Sequence, residues 1–382
     1  MNERIKNIIP QLTGVRFLAA AMVYFSHHVL PFSGHIHHRF YDVIKEFGST
    51  GVTVFFVLSG FLIYYRYSNR LSFSFRSLWN YFLNRYARIY PMFFLVTVIS
   101  LGFQHISDVK SWILCLTFIN GFFDEYIRFL AITQGWTLTI EETFYVLAPF
   151  IFYFVLKKTS IFRIGMFIMS IGMLWFVLNH LFDIHMFKSF YFILYSTFFG
   201  RCFDFLTGIF LAKIFLQKDH TSSIGIHLTY FSVFLFGIAL FILSSLSSSI
   251  YLYGVYNPAG LLLNNFFLPV IIAAFFYGII HEKTWISQIL QSKLFVILGK
   301  SSYILYLIHY GVVGTLLSSF FISLWGTSSL MINHIWLNVG LTFILFTLVS
   351  IVGFYLIEDP INKWIRRKFS LKLLNSNNQI QK

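Results

Sequence analysis

Two ionisable side chains, Arg16 and His27, stand eleven positions apart in the first apolar run, PQLTGVRFLAAAMVYFSHHV. At 1.5 Å per residue they lie roughly 16 Å apart along a helix axis, and eleven positions are close to three turns, so both project from nearly one face. Such a face could line a polar passage with a permanent cation at one end and a titratable imidazole at the other. The same spacing fits a snorkelling arginine and a hydrogen-bonded interfacial histidine, and spacing alone leaves both readings open.

WTLTIEETFYVLAPF carries adjacent carboxylates, Glu141 and Glu142, shortly after Trp136. A carboxylate at the depth of His27 could orient the imidazole and stabilise its protonated form. Adjacent residues point about 100° apart on a helix, so at most one of the two can face the same partner. Thr139, Glu141 and Glu142 also fit a capping box, and Trp136 fits an outer aromatic belt. Arg85 and Arg88, in RYARIYP, are one turn apart. Their planar guanidinium forks suit phosphate and pyrophosphate, and equally suit cytoplasmic anchoring. In GKSSYILYLIHY, Ser302, Tyr306 and His309 share one helix face, with Tyr303 beside it. That stripe lines a cavity or packs as core. Arg201 and Asp204, three apart, can pair with each other. His35, His37 and His38 form a loop cluster that binds a transition metal weakly or stays solvated.

These residues need long apolar elements to hold them, and the composition supplies them. Of 382 residues, 57% are hydrophobic and only 11% charged, where soluble domains carry about a quarter charged. That excludes a water-soluble globular protein. Apolar runs at 13–30, 48–65, 86–104, 136–156, 161–181, 190–216, 224–246, 258–281, 294–320 and 335–357 predict an all-α integral membrane protein of about ten spanning helices. The run 111–121 is too short to span and reads as an interfacial or re-entrant piece. The first run carries Arg16 and lacks a small-residue cleavage site, so it is expected to be a retained helix. Cys115 and Cys202 both sit in apolar runs, which points to neither a disulfide framework nor a metal site.

Most of the 28 Lys and Arg fall in alternate loops, and the positive-inside rule then puts both termini in the cytoplasm. Attraction to anionic lipid accounts for a net charge of +14 and a pI near 9.6 without any nucleic-acid partner. Residues 1–360 are expected to form the membrane domain and 361–382 a basic, polar cytoplasmic tail whose NSNNQ stretch is disordered.

Several elements taken together, in this order, resemble the bacterial acyltransferase 3 family of multi-pass membrane O-acyltransferases. They are Arg16 with His27; GVTVFFVLSGFLI; Arg85 and Arg88 followed by Tyr90-Pro91; WTLTIEETFY; RCFDFLTGIFLA; and LGKSSYILYLIHY. The resemblance spans nearly the whole chain. It implies transfer of an acyl group, commonly acetyl, from cytoplasmic acyl-CoA to a hydroxyl of a glycan or other acceptor outside. It also implies that Arg16 and His27 are essential and that Arg85 and Arg88 handle the donor. Relatives often have an acidic residue in the group before Arg16, where this chain has Leu-Thr-Gly-Val. Some carry an added soluble hydrolase-like domain, so this chain is expected to act alone or with a separate glycan-synthesis partner.

On that basis acetyl-CoA is the expected donor, with no metal or redox cofactor, and the bacterial cytoplasmic membrane is the expected location. His27 is the expected general base, oriented by Glu142 or Glu141. Arg16 would hold a phosphate or stabilise the thioester oxygen, and His309, Tyr303 and Trp136 would line the cavity. Direct transfer and a covalent acyl-histidine both fit. The rival classes are a flippase of a lipid-linked glycan and a non-catalytic membrane subunit of a glycan-synthesis complex.

Overall fold

The computed structural model describes residues 9–29, 38–123, 129–182, 186–187, 189–217, 227–248, 250–325 and 335–371. Among them every regular element is helical. The helices are α1 (Pro10–Val29), α2 (His38–Tyr67), α3 (Phe75–Phe103), α4 (Val109–Leu116), α5 (Trp136–Leu156), α6 (Ile161–Phe182), α7 (Phe190–Ser196), α8 (Phe198–Gln217) and α9 (Leu228–Leu246). They continue with α10 (Pro258–Leu262), α11 (Leu268–His281), α12 (Trp285–Leu290), α13 (Lys293–Ile308), α14 (Gly311–Trp325), α15 (Ile335–Gly353) and α16 (Asp359–Phe369). Two π-helical turns, Leu263–Phe267 and Phe354–Glu358, join α10 to α11 and α15 to α16.

By length and composition, seven helical segments among the described residues can cross a membrane, or eight if the bent pair α13–α14 counts as one. The expected ten is therefore not reached on that criterion. The difference lies partly in the polar residues of two further 20-residue helices. Gln11, Arg16, His27 and His28 lower the hydropathy of α1, and Arg201, Asp204 and Lys213 give α8 three charges. Large apolar side chains of α6 and α9, among them Phe162, Phe167, Leu181, Phe234 and Phe241, point outward. In water such a surface would be an aggregation liability, and a bilayer solvates it. The spanning window of α2 is 72% buried against 22% for α6, so α2 is central and α6 peripheral.

The 111–121 run folds as expected of a piece too short to span: α4 followed by a 3₁₀ turn at Ile119–Phe122. The capping-box reading of α5 is corrected. The helix begins at Trp136, the Thr139 hydroxyl donates to Phe118 O at 2.6 Å, and Glu141 points into a cavity. The start of the supposed tail is an amphipathic helix, α16, whose end packs on α3 through Trp79 Nε1 to Phe369 O at 3.0 Å and Asn80 Nδ2 to Leu371 O at 2.8 Å. The NSNNQ stretch, the extreme N-terminus, His35 and His37 lie outside the described residues.

A buried polar cluster ties α2, α8 and the first π turn together. Arg201 Nε donates to Asp204 Oδ2 at 2.6 Å, Arg201 Nη2 to Thr53 Oγ1 at 2.7 Å, and Thr53 Oγ1 to Asn264 Oδ1 at 3.1 Å. Arg201 and Asp204 are fully buried. The expected pairing between them is present and has a structural setting.

Candidate active site

Two helices carry the imidazoles, and their backbones dictate the meeting. A Cβ on Gly299 of α13 would lie 1.8 Å from Thr13 O of α1, so only glycine permits this approach. The two helices run parallel from that contact, His27 following Thr13 on one as His309 follows Gly299 on the other. Beyond His309 the chain turns through 102° at Gly311, whose φ of +77° favours glycine. This break leaves His309 at the open end of α13. There the Gln134 amide donates to the carbonyls of Tyr306 at 2.8 Å and Leu307 at 3.0 Å, satisfying acceptors that a helix end leaves unpaired.

His27 Nδ1 lies 2.9 Å from His309 Nε2, and His309 Nδ1 lies 2.9 Å from Tyr306 O. A carbonyl only accepts, so His309 must carry its proton on Nδ1. With both rings neutral, His309 Nε2 is then an acceptor and His27 Nδ1 donates to it. The remaining lone pair of His27 is on Nε2, the form a general base requires. Tyr310 stacks on His27 with ring centroids 4.4 Å apart and further fixes the ring.

Arg16 lines a different space. A narrow cavity of about 90 Å³ is bounded by Arg16, Ser59, Arg85, Arg88, Glu141, Tyr145 and Tyr303, among others. Glu141 accepts from the Ser59 hydroxyl and from Tyr145 Oη, the latter at 2.6 Å. Arg88 is paired with the buried Glu358 and also donates to Lys300 O at 3.3 Å. Arg85 has no carboxylate within ion-pair distance among the described residues, and its guanidinium sits over the rings of Tyr67 and Tyr145, 5.6 and 5.9 Å away. Arg16 makes no hydrogen bond or ion pair among the described residues, although its charge is felt by Glu141 and Glu358. Two of three guanidinium groups are thus unengaged by carboxylate and available to an anion.

A second cavity, of about 450 Å³, is lined by His27, Trp136, Gln134 and several tyrosines. The arginine chamber and this aromatic chamber share three wall residues, Val52, Thr137 and Tyr306. At this neck, a wall that the two chambers share, the Thr137 and Tyr306 hydroxyls are hydrogen-bonded at 2.6 Å. A smaller cavity of about 270 Å³ flanks His27, His28 and His309 on another side.

Spacing left open whether Arg16 and His27 face one passage, and in the structure they line two adjacent chambers that share a wall. The stripe on α13 runs along the same path: Ser302 and Tyr303 on the arginine chamber, Tyr306 at the neck, His309 behind His27. Tyr303 Oη donates to Ile89 O at 2.8 Å, which braces α13 on α3. Trp136, also expected in the cavity, lines the aromatic chamber against Tyr195, at 5.5 Å between centroids. The imidazole expected to meet a carboxylate meets another imidazole instead. Glu141 belongs to the arginine chamber, and Glu142 is half-buried within the field of Arg85. The sequence reading missed Glu358, although a carboxylate in YLIEDP, at the end of the last apolar run, is flagged by the same rule that singled out Glu141. It also missed Ser59, Tyr145 and the neck, which carry no such signal.

An all-helical membrane protein whose half-buried arginines and imidazoles line two adjacent chambers is the class that fold and site define. The chain belongs to the acyltransferase 3 family, whose model, described as an acyltransferase domain, matches residues 9–359. Two proteins of Staphylococcus aureus, from strains COL and MSSA476, each named Putative O-acetyltransferase, are 26% identical to it over 369 residues. The alignments cover 86% of this chain and 54% of theirs, so the chain spans about half the length of these relatives. No solved structure matches it.

Proposed function

We propose that the protein transfers an acetyl group from cytoplasmic acetyl-CoA to a hydroxyl of an extracytoplasmic glycan, acting within the bacterial inner membrane. Membership of an acyltransferase family supports the reaction class, and the name of the staphylococcal relatives supports acetyl transfer to oxygen. The observation that carries the reading is the neck: Arg16 and His27, on one face of α1, line two chambers that meet at Val52, Thr137 and Tyr306. Counting α1 and α8 with the eight segments above gives ten crossings. The Lys and Arg distribution then favours cytoplasmic termini, an inner arginine chamber and an outer aromatic one.

The phosphates of CoA are too large for the arginine chamber and stay at its mouth, drawn by the unpaired Arg85, with Arg88 beside it adding positive charge while its guanidinium stays on Glu358. The narrow end of the arm that carries the thioester follows Arg16 to the neck, where the Thr137–Tyr306 hydrogen bond must open to let the acyl group reach His27. His27 Nε2 takes the proton of the acceptor hydroxyl as its oxygen bonds to the acyl carbon. The C–S bond then breaks, and the thiolate takes the proton back from the imidazolium. The products are the acyl ester and free CoA thiol. His309, through its neutral Nε2, holds the Nδ1 proton of His27 throughout and is a positioning residue. Arg16 offsets negative charge developing on the thioester oxygen.

The test is label transfer from radiolabelled acetyl-CoA into envelope glycan, in membranes carrying wild type or His27→Ala at matched expression. General-base loss should lower transfer by about 10²–10⁴-fold. Equal label from both would remove His27 from the mechanism. Movement of lipid-linked glycan without acetyl-CoA consumption would favour a flippase instead.

A further inference from the structure

We infer that Arg66 and Arg366 form a second phosphate subsite beside the mouth of the arginine chamber and that it takes the ribose 3′-phosphate of the acyl-CoA, an inference that rests on the acyl-transfer reading of that chamber. Coenzyme A carries phosphate in two places, a pyrophosphate at the root of the pantetheine arm and a monoester on the ribose. Arg85, which lines the chamber, serves the first. The monoester carries close to two negative charges at neutral pH and needs cations of its own, and guanidinium forks suit its oxygens.

Three elements gather those cations. The guanidinium groups of Arg66, at the end of α2, and Arg85, on α3, lie 5.9 and 5.6 Å from the centroid of one ring, that of Tyr67. The third element is α16. Two contacts lay it antiparallel along the start of α3: Glu358, just before it, pairs with Arg88, and Phe369 O at its far end accepts from Trp79 Nε1. Asn362 and Arg366 follow Glu358 at steps of one turn, on the broad face of the helix that meets α3. Arg66 consequently sits in the joint field of Arg85, Arg366 and Arg70.

Among the described residues no carboxylate balances this group. α3 has no acidic residue, Glu358 is held by Arg88, and Asp359 is held by Lys363. Glu142 feels the charge of Arg85 without forming an ion pair among the described residues. Arg66, Arg70 and Arg366 are exposed and, among the described residues, make no ion pair. Like charges gathered in this way repel one another and draw a counter-anion. Their place beside Arg85 puts that anion next to the chamber that receives the thioester arm.

The experiment measures Kd for acetyl-CoA and for acetyl-3′-dephospho-CoA on the full chain in phosphatidylcholine nanodiscs. Wild type should bind acetyl-CoA at least about tenfold more tightly, equivalent to 1.4 kcal/mol. Arg66→Gln and Arg366→Gln should each cut that ratio below about threefold, with Kd for the dephospho compound changed by less than about twofold. Neither substitution breaks an ion pair among the described residues, so both variants should melt with the wild type. Arg367→Gln removes the same charge one position round the helix and should keep the ratio. A wild-type ratio near one, a ratio that survives both substitutions, an equal loss of affinity for both compounds, or an equal effect of Arg367→Gln would overturn the inference while leaving acyl transfer intact. An anionic lipid headgroup offers the same phosphate chemistry. Phosphatidylglycerol that co-purifies with wild type but not with Arg366→Gln, beside a ratio near one, would assign the pair to the membrane instead. If neither compound binds, the acyl-CoA donor reading fails, and this inference with it.

Discussion

At the scale of single residues, the imidazole pair and the arginines make separable predictions. His309→Ala keeps the base but frees its ring, so kcat should fall by about tenfold to a hundredfold, less than for His27→Ala. An asparagine can donate to Tyr306 O and accept from His27 Nδ1, so His309→Asn should recover part of the loss. An inactive His309→Asn beside a fully active His309→Ala would refute the positioning role. Arg88 and Arg85 should also part company. Glu358 is 1% exposed, and Arg88→Ala would strand its carboxylate, costing about 3–5 kcal/mol. Thermal unfolding of the purified chain should show a large loss for Arg88→Ala that Arg88→Met with Glu358→Leu largely recovers. Arg85→Ala should raise the KM for acetyl-CoA with a smaller stability change. The sequence made Arg16, His27, Arg85 and Arg88 visible because intramembrane charge is rare and helical spacing is fixed. It could not pair them: His27 and His309 are 282 residues apart, and Arg88 and Glu358 are 270 apart. Only the helix packing brings such partners together.

At the scale of elements, the site depends on how α13 seats on α1 and where it stops. Gly299→Val would drive a side chain into Thr13 O and should cost about 1–3 kcal/mol through overpacking, with loss of transfer as His309 moves off His27. Gly311→Ala forces a left-handed φ on a residue with a Cβ and should cost about 1–2 kcal/mol. Circular dichroism melts and label transfer in the same preparations would check both. Neither an effect on stability nor one on transfer for Gly299→Val would mean the two helices are held otherwise. Apolar runs located these elements well where they are uninterrupted, as for α5, expected at 136–156 and found as Trp136–Leu156. Breaks inside a run were invisible: the 294–320 run is two helices bent at Gly311, because periodicity reports burial and not a local turn in φ. The 86–104 run begins at Phe75 in the structure, since the amphipathic first turns of α3 are too polar for a hydropathy reading.

At the scale of the whole molecule, the proposed donor and acceptor chambers are adjacent, so on the proposed reading both substrates are bound together. Kinetics should therefore be sequential, with intersecting double-reciprocal lines, and a trapped acetyl-enzyme should not accumulate. Parallel lines with a label stable on His27 would instead establish the covalent route. The most direct test of a passage across the bilayer is a sided one. Purified protein would be reconstituted into sealed vesicles with the glycan acceptor enclosed and labelled acetyl-CoA added outside, where only molecules with outward-facing arginine chambers can take it up. The enclosed glycan should become labelled with wild type, stay unlabelled with His27→Ala, and release no label on washing. Label that reaches glycan only when donor and acceptor are placed on the same side would contradict transfer through the neck.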